Sequence, residues 1–162
     1  MPPARERVPR RALTGTRNGT DAMNHPIELA PPDIAPLRHG NAGVDYVHVI
    51  DSGRAGPTVM VQALTHGNEF CGAIAAAGLL QSGLRPVAGR LVVAFANVEA
   101  FARFDADDPD RARYIDEDYN RVWHDDALFG ARDSIELRRA RALQPFVDAA
   151  DLLLDLHSMH EP

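Results

Sequence analysis

A single cysteine, Cys71, excludes any internal disulfide and fits a reducing, cytoplasmic compartment. Positive charge is also scarce. With 17 Lys and Arg against 23 Asp and Glu, the formal net charge is −6, so no global basic field draws in nucleic acid or an anionic membrane. Aromatic residues at 6% argue against a base-stacking surface. No apolar run approaches the roughly 18 residues of a membrane span. What is present is an ordinary globular composition, 45% hydrophobic and 25% charged over 162 residues, enough for one domain with a hydrophobic core.

Five of the basic residues crowd the start. Arg5, Arg7, Arg10, Arg11 and Arg17 face only Glu6 and Asp21, with no apolar stretch behind them, which makes a poor secretory signal. Residues 1–24 read as a disordered basic leader, with Met23 an alternative start, and residues 25–162 as the folded unit. Pro31, Pro32 and Pro36 predict an extended lead-in with at most one helical turn over 25–41. Alternation over Val44–Ile50 predicts a first strand at a sheet edge, followed by turns at Asp51-Ser52-Gly53 and Gly56-Pro57. Thr58–Leu64 and Arg90–Ala96 are short, nearly continuous apolar runs, as in strands buried on both faces. Between them an alanine-rich helix is expected from Glu69 to Gln81, ending at Ser82-Gly83. Asn97–Gly130 is long, polar and weakly periodic, the kind of loop that carries function. A helix over Ser134–Ala149, capped by Ser134 or Asp133, directs Leu137, Leu143, Phe146 and Val147 inward, and Asp151–Leu156 is the last strand. Strands separated by helices predict an α/β fold, a mostly parallel or mixed sheet with helices on both faces.

In such sheets ligands sit beyond the carboxyl ends of the strands. His66 and Glu69 follow the Thr58 strand, and His157 follows the Asp151 strand. Two imidazoles and a carboxylate form a catalytic zinc set with an open fourth position. The i, i+3 spacing of His66 and Glu69 puts both on one side of a helical turn, and Gly67 permits the sharp bend between them. A His-x-x-Glu pair alone is a weak signal and mostly surface decoration; His157 at a second strand end is what raises it above that. In the polar stretch, Arg113 and Arg121 suit bidentate capture of a carboxylate, Asn120 adds an amide, and Asp118 is placed to accept a hydrogen bond from a ligating histidine. A solvated, internally salt-bridged loop is the competing reading of that stretch.

His66-Gly67-Asn68-Glu69, then Arg113-Tyr114-Ile115-Asp116 leading into Asp118-Tyr119-Asn120-Arg121, then Asp155-Leu156-His157, together resemble the succinylglutamate desuccinylase/aspartoacylase family of the zinc carboxypeptidase superfamily. The resemblance runs from Val44 to His157 and departs at Tyr119, where the family often has leucine. It implies a zinc-carboxypeptidase-like fold with His66, Glu69 and His157 as ligands of one Zn2+ ion. It implies Arg113, Asn120 and Arg121 as contacts to a substrate's carboxylates, Arg113 also polarising the scissile carbonyl, and Asp118 supporting His66. The implied reaction is hydrolysis of an N-acyl amino acid, or a similar small anionic amide, by a metal-activated water.

The resemblance also implies a glutamate general base well downstream of the third ligand, which no residue here matches. Glu161 is four residues past His157, the wrong place, and His160 reads as a loop residue. The chain therefore reads as the N-terminal part of such a domain, incomplete at its C-terminus, with an open apolar sheet edge. A non-catalytic zinc-binding remnant that pairs with a partner or a second copy through that edge is the alternative, and a peptide-cleaving metallocarboxypeptidase a close variant. Cys71 reads as a buried structural thiol, Trp123 and Phe129 as packing residues, and His25, His39, His48 and His124 as surface residues. Asp105–Asp110 lacks the spacing of a calcium loop and reads as a solvated acidic turn.

Overall fold

The apolar runs pair side by side into the centre of a mixed sheet. A computed structural model describes residues 29–158; the basic leader, His25, His160 and Glu161 lie outside the described residues. Strands β1 (Val47–Asp51), β2 (Thr58–Ala63), β3 (Arg90–Phe95) and β4 (Leu152–Leu156) lie in the order β1-β3-β2-β4. β2 runs parallel to both β3 and β4, while β1 pairs antiparallel with β3 from Val47↔Ala94 to Asp51↔Arg90. Central β2 and β3 bury nearly every side chain, which is why they read as unbroken apolar runs rather than alternating ones.

Helices cover both faces. The chain leaves β2 through α1 (Phe70–Gln81) to reach β3 on one side, then returns through α4 (Ile135–Asp148) to β4 on the other side of β2. Crossovers of one hand stepping in opposite directions put their helices on opposite faces. Accordingly Phe70, Ala73 and Ala76 of α1 pack on Val61, Val93 and Phe95, whereas Leu137, Ala140 and Leu143 of α4 pack on Met60, Val92 and Ala94. Each fully buried leucine contributes about 1.5–3 kcal/mol of burial. α4 starts where expected, with Ser134 Oγ accepting from Leu137 N at 3.0 Å. α1 ends at Gly83, whose φ of +69° breaks the helix.

Several sequence expectations shift. β1 begins at Val47 rather than Val44, because Tyr46 adopts φ 61° and interrupts the extended backbone. The polar stretch is not a bare loop. It contains the short helices α2 (Val98–Phe101) and α3 (Asp125–Leu128) and two 3-10 turns, Pro109–Ala112 and Tyr119–Arg121, each too short to print a period. Cys71 is exposed, not buried, because the inner face of α1 is Phe70, Ala73 and Ala76/Ala77, and residue 71 falls on the outside. Phe129 is 67% exposed rather than packed in the core, while Trp123 does pack, edge-on to Tyr119 at 5.5 Å. His48 is half-buried with Nε2 2.9 Å from Leu37 O, whereas His39 and His124 are on the surface. Among the described residues no helix is long and apolar enough to cross a membrane.

Candidate metal centre

The carboxyl ends of β2, β3 and β4 open onto one place. Leu64, at the end of β2, takes φ 61°, an uncommon backbone for a branched residue, and turns the chain so that His66 points inward. Gly67 allows the next step. A Cβ there would stand 2.3 Å from Ala112 O and 2.4 Å from Phe101 N, so only glycine fits between these backbones. Glu69 occupies the N-cap of α1 yet makes no capping bond, because its carboxylate faces the histidines. Gly72 lets α1 approach β4, with Leu156 O only 2.5 Å from where a Cβ would sit. The parallel register Ala63↔Leu156 then brings His157 alongside His66.

The result is a tight donor cluster. His66 Nδ1 lies 2.8 Å from Glu69 Oε1, and His157 Nε2 lies 3.3 Å from the same oxygen. The rings of His66 and His157 meet edge-on at 5.0 Å, and one ligand atom from each of the three residues lies within 4.8 Å of the others. His66 and Glu69 are buried, and His157 is partly exposed. Glu69 Oε2 is buried without a hydrogen-bond partner among the described residues. A buried orphan acceptor costs about 1–3 kcal/mol, and a cation at this cluster would satisfy it. Two imidazole nitrogens and a carboxylate are the donor set of a catalytic zinc with room for a further ligand, so the residues fit the ion.

A second layer holds the first. His66 Nε2 is 3.1 Å from Asp118 Oδ1, where Asp118 was expected, and Asn120 N donates to the same oxygen at 2.9 Å. Asp155, quoted in the sequence only as part of a motif, sits 3.5 Å from His157 Nδ1 and accepts from Thr65 Oγ1 at 2.8 Å. Thr65 in turn accepts from buried Gln62 Nε2 at 3.2 Å. Position i−2 on a strand shares the face of i, so the period of two was a signal for Asp155. Gln62 and Thr65 signalled themselves only as polar residues in an apolar run. Arg113 reaches the rim, with Nη1 3.9 Å from Glu69 Oε1 and Nη2 3.8 Å from Asp118 Oδ2. Asn120 and Arg121 are exposed beside it, and their side chains have no hydrogen-bond or ion-pair partner among the described residues. Asp105–Asp110 is mostly exposed and turned on itself, Asp107 N donating to Asp105 Oδ1.

Burial pushes the His66 imidazolium down, but hydrogen bonds to Glu69 and Asp118 outweigh it and hold the group above its ordinary 6.5. Burial likewise pushes Asp118 up, while His66 and the Asn120 N–H together pull it below its ordinary 3.8. A raised histidine adds stability that is full below the unfolded value and fades as pH climbs through the folded one. A depressed carboxylate adds stability above its unfolded value that is lost as pH falls through the folded one. The metal-free protein is thus expected to melt highest between about pH 4 and about pH 6.5, and to lose Tm as pH rises through neutrality. Melting curves over a pH series test this: His66→Gln should flatten the neutral limb, and a wild-type limb that is already flat would refute the doubly bonded imidazolium.

Comparison with known proteins follows the same lines. The sequence profile of the succinylglutamate desuccinylase/aspartoacylase catalytic domain matches residues 55–161. A similar solved structure is that of the succinylglutamate desuccinylase from Chromobacterium violaceum, 24% identical with a TM-score of 0.53. The match covers 70% of this chain and 36% of that one, so the chain spans about a third of its length, and the likeness is one of fold. No curated protein matches.

Proposed function

The chain belongs to the succinylglutamate desuccinylase/aspartoacylase catalytic-domain family, and from that premise we propose that it is a zinc-dependent hydrolase cleaving the amide bond of an N-acyl amino acid or similar small anionic amide. The observation that carries the reading is the convergence of His66, Glu69 and His157 within 4.8 Å, with Arg113 at its rim. His66, Glu69 and His157 would hold one zinc ion, which when bound lowers the pKa of water and polarises a carbonyl. Asp118 and Asp155 hold the outer nitrogens of the two imidazoles and so keep the inner nitrogens turned toward the metal. Arg113, Asn120 and Arg121 bind and orient the substrate's carboxylates, and the unpaired side-chain donors of Asn120 and Arg121 favour an anionic ligand over a neutral peptide. Arg113, nearest the ligand cluster, also polarises the scissile carbonyl. No residue of this sequence is assigned as general base. A cytoplasmic setting belongs to the same reading and is supported by the single cysteine.

The test is binding and hydrolysis of a panel of N-acetyl and N-succinyl amino acids by the zinc-loaded protein. A charge-assisted contact is worth about 1.5–3 kcal/mol, so Arg113→Ala is expected to weaken ligand binding roughly ten- to hundredfold while zinc stays bound. Equal affinity for the variant, or a preference for uncharged amides, would remove Arg113 from the clamp.

One observation favours a second reading. Among the described residues β4 forms one sheet edge, with Leu152, Leu153 and Leu154 exposed at 59%, 43% and 52%, an apolar flank suited to a partner chain or a second copy. Full zinc occupancy with no turnover of any panel member, together with concentration-dependent association, would support that interaction module over the enzyme.

A further inference from the structure

We propose that Glu136 is a positioning residue for the arm that carries Arg113, Asp118, Asn120 and Arg121. Glu136 lies in the first turn of α4, is none of the three residues of the metal cluster, and is fully buried. Among the described residues it forms no ion pair; its charge is met by N–H donors instead. Oε1 accepts from Ile115 N at 2.7 Å and from Asn97 Nδ2 at 3.2 Å, and Oε2 accepts from Asp116 N at 3.1 Å and Glu117 N at 3.3 Å. Three consecutive backbone amides therefore wrap one carboxylate, a concave anion cradle built from main chain.

The clasp is reciprocal. Asp116 Oδ2 accepts from Ile135 N at 2.8 Å, satisfying an open amide at the start of α4, and Arg132 Nη2 meets Glu117 Oε2 at 2.6 Å. Asn97 lies two residues past β3, and its own N–H donates to Leu64 O at 2.8 Å, so the clasp is tied to the strand ends that carry the metal cluster. The arm is thus pinned between Gly67 N, which donates to Arg113 O at 3.1 Å, and Asp118 on His66. A glutamine at 136 would keep the shape but turn an NH2 group toward backbone N–H donors, leaving them unpaired. The identity of the arm's ligand rests on the proposed function; the clasp itself does not.

The experiment is amide hydrogen exchange on the full chain, paired with zinc and N-acetyl amino acid affinities, for wild type, Glu136→Gln and the milder surface variant Asp116→Asn. Wild-type amides of Ile115, Asp116 and Glu117 are expected to be protected. Glu136→Gln should speed their exchange at least tenfold while β2 and α1 stay within twofold. Ligand affinity should fall at least tenfold and zinc affinity no more than about threefold. Asp116→Asn should move the same readouts in the same direction by a smaller factor, which keeps the test alive if Glu136→Gln does not fold. Unprotected wild-type amides would overturn the clasp, as would variants in which zinc affinity, ligand affinity and melting temperature fall in parallel. Glu136-dependent protection in a protein that binds no N-acyl amino acid would uphold the clasp and refute the proposed substrate instead.

Discussion

Glu69→Ala is expected to weaken zinc binding by at least about a hundredfold. Apparent zinc-binding energies of about 10–16 kcal/mol shared among roughly four ligands put each ligand near 3 kcal/mol, about two orders of magnitude in affinity. Glu69 sits at the hub, since its Oε1 is the atom that both His66 Nδ1 and His157 Nε2 approach, at 2.8 and 3.3 Å. Removing it leaves the two imidazoles without their shared partner and takes away the only charged donor of the three. Competition against a chromogenic chelator measures the loss, with exposed His39→Ala as the control that should leave affinity unchanged. A change below about threefold in Glu69→Ala would mean that zinc, if bound, is held elsewhere.

Gly67→Ala is expected to be as damaging, by a different route. The added Cβ would stand 2.3 Å from Ala112 O, 2.4 Å from Phe101 N and 2.5 Å from Ala100 C. All three are main-chain atoms, from two separate segments, so no rotamer change relieves the overlap. Overpacking of side chains costs about 1–3 kcal/mol, and backbone that cannot step aside should reach the upper end or beyond, a Tm lower by roughly 10 °C. Because Gly67 N also holds Arg113 O, the displacement should carry into the site and lower zinc affinity as well. Gly78→Ala in α1 is the contrast: nothing lies within 4 Å of its Cβ position, so it should stabilise by about 0.4–1 kcal/mol. Thermal melts of the two variants check both signs, and an unchanged Tm for Gly67→Ala would contradict the close packing of the β2–α1 turn.

Much of the frame was legible because local rules and tertiary needs agree there. β2 and β3 are largely apolar because both faces are covered, and α1 runs from Phe70 to Gln81, within a residue of expectation. His66 and Glu69 were legible through their i, i+3 spacing just past a buried strand, and Asp118 through its motif. Where expectation failed, a non-local contact had decided. Tyr46 breaks the alternation that carried β1 too far, and Cys71 turns outward because α1 packs on a neighbouring stripe. Nothing in the sequence sets Glu136 apart from any polar residue in a first helical turn; only the arm folded over it makes it a hub.

The sequence by itself determined which groups are available: two imidazoles and one carboxylate, placed just beyond strand ends by local hydrophobic pattern and turn chemistry, and an arm with two arginines in the polar stretch after β3. Tertiary structure alone decided that they meet. His66 and His157 become neighbours through the parallel register of β2 and β4, and Glu69 joins them because Gly72 lets α1 lie close to β4. Those distances depend on backbone pairings between segments far apart in the chain, and no periodicity within either segment encodes them.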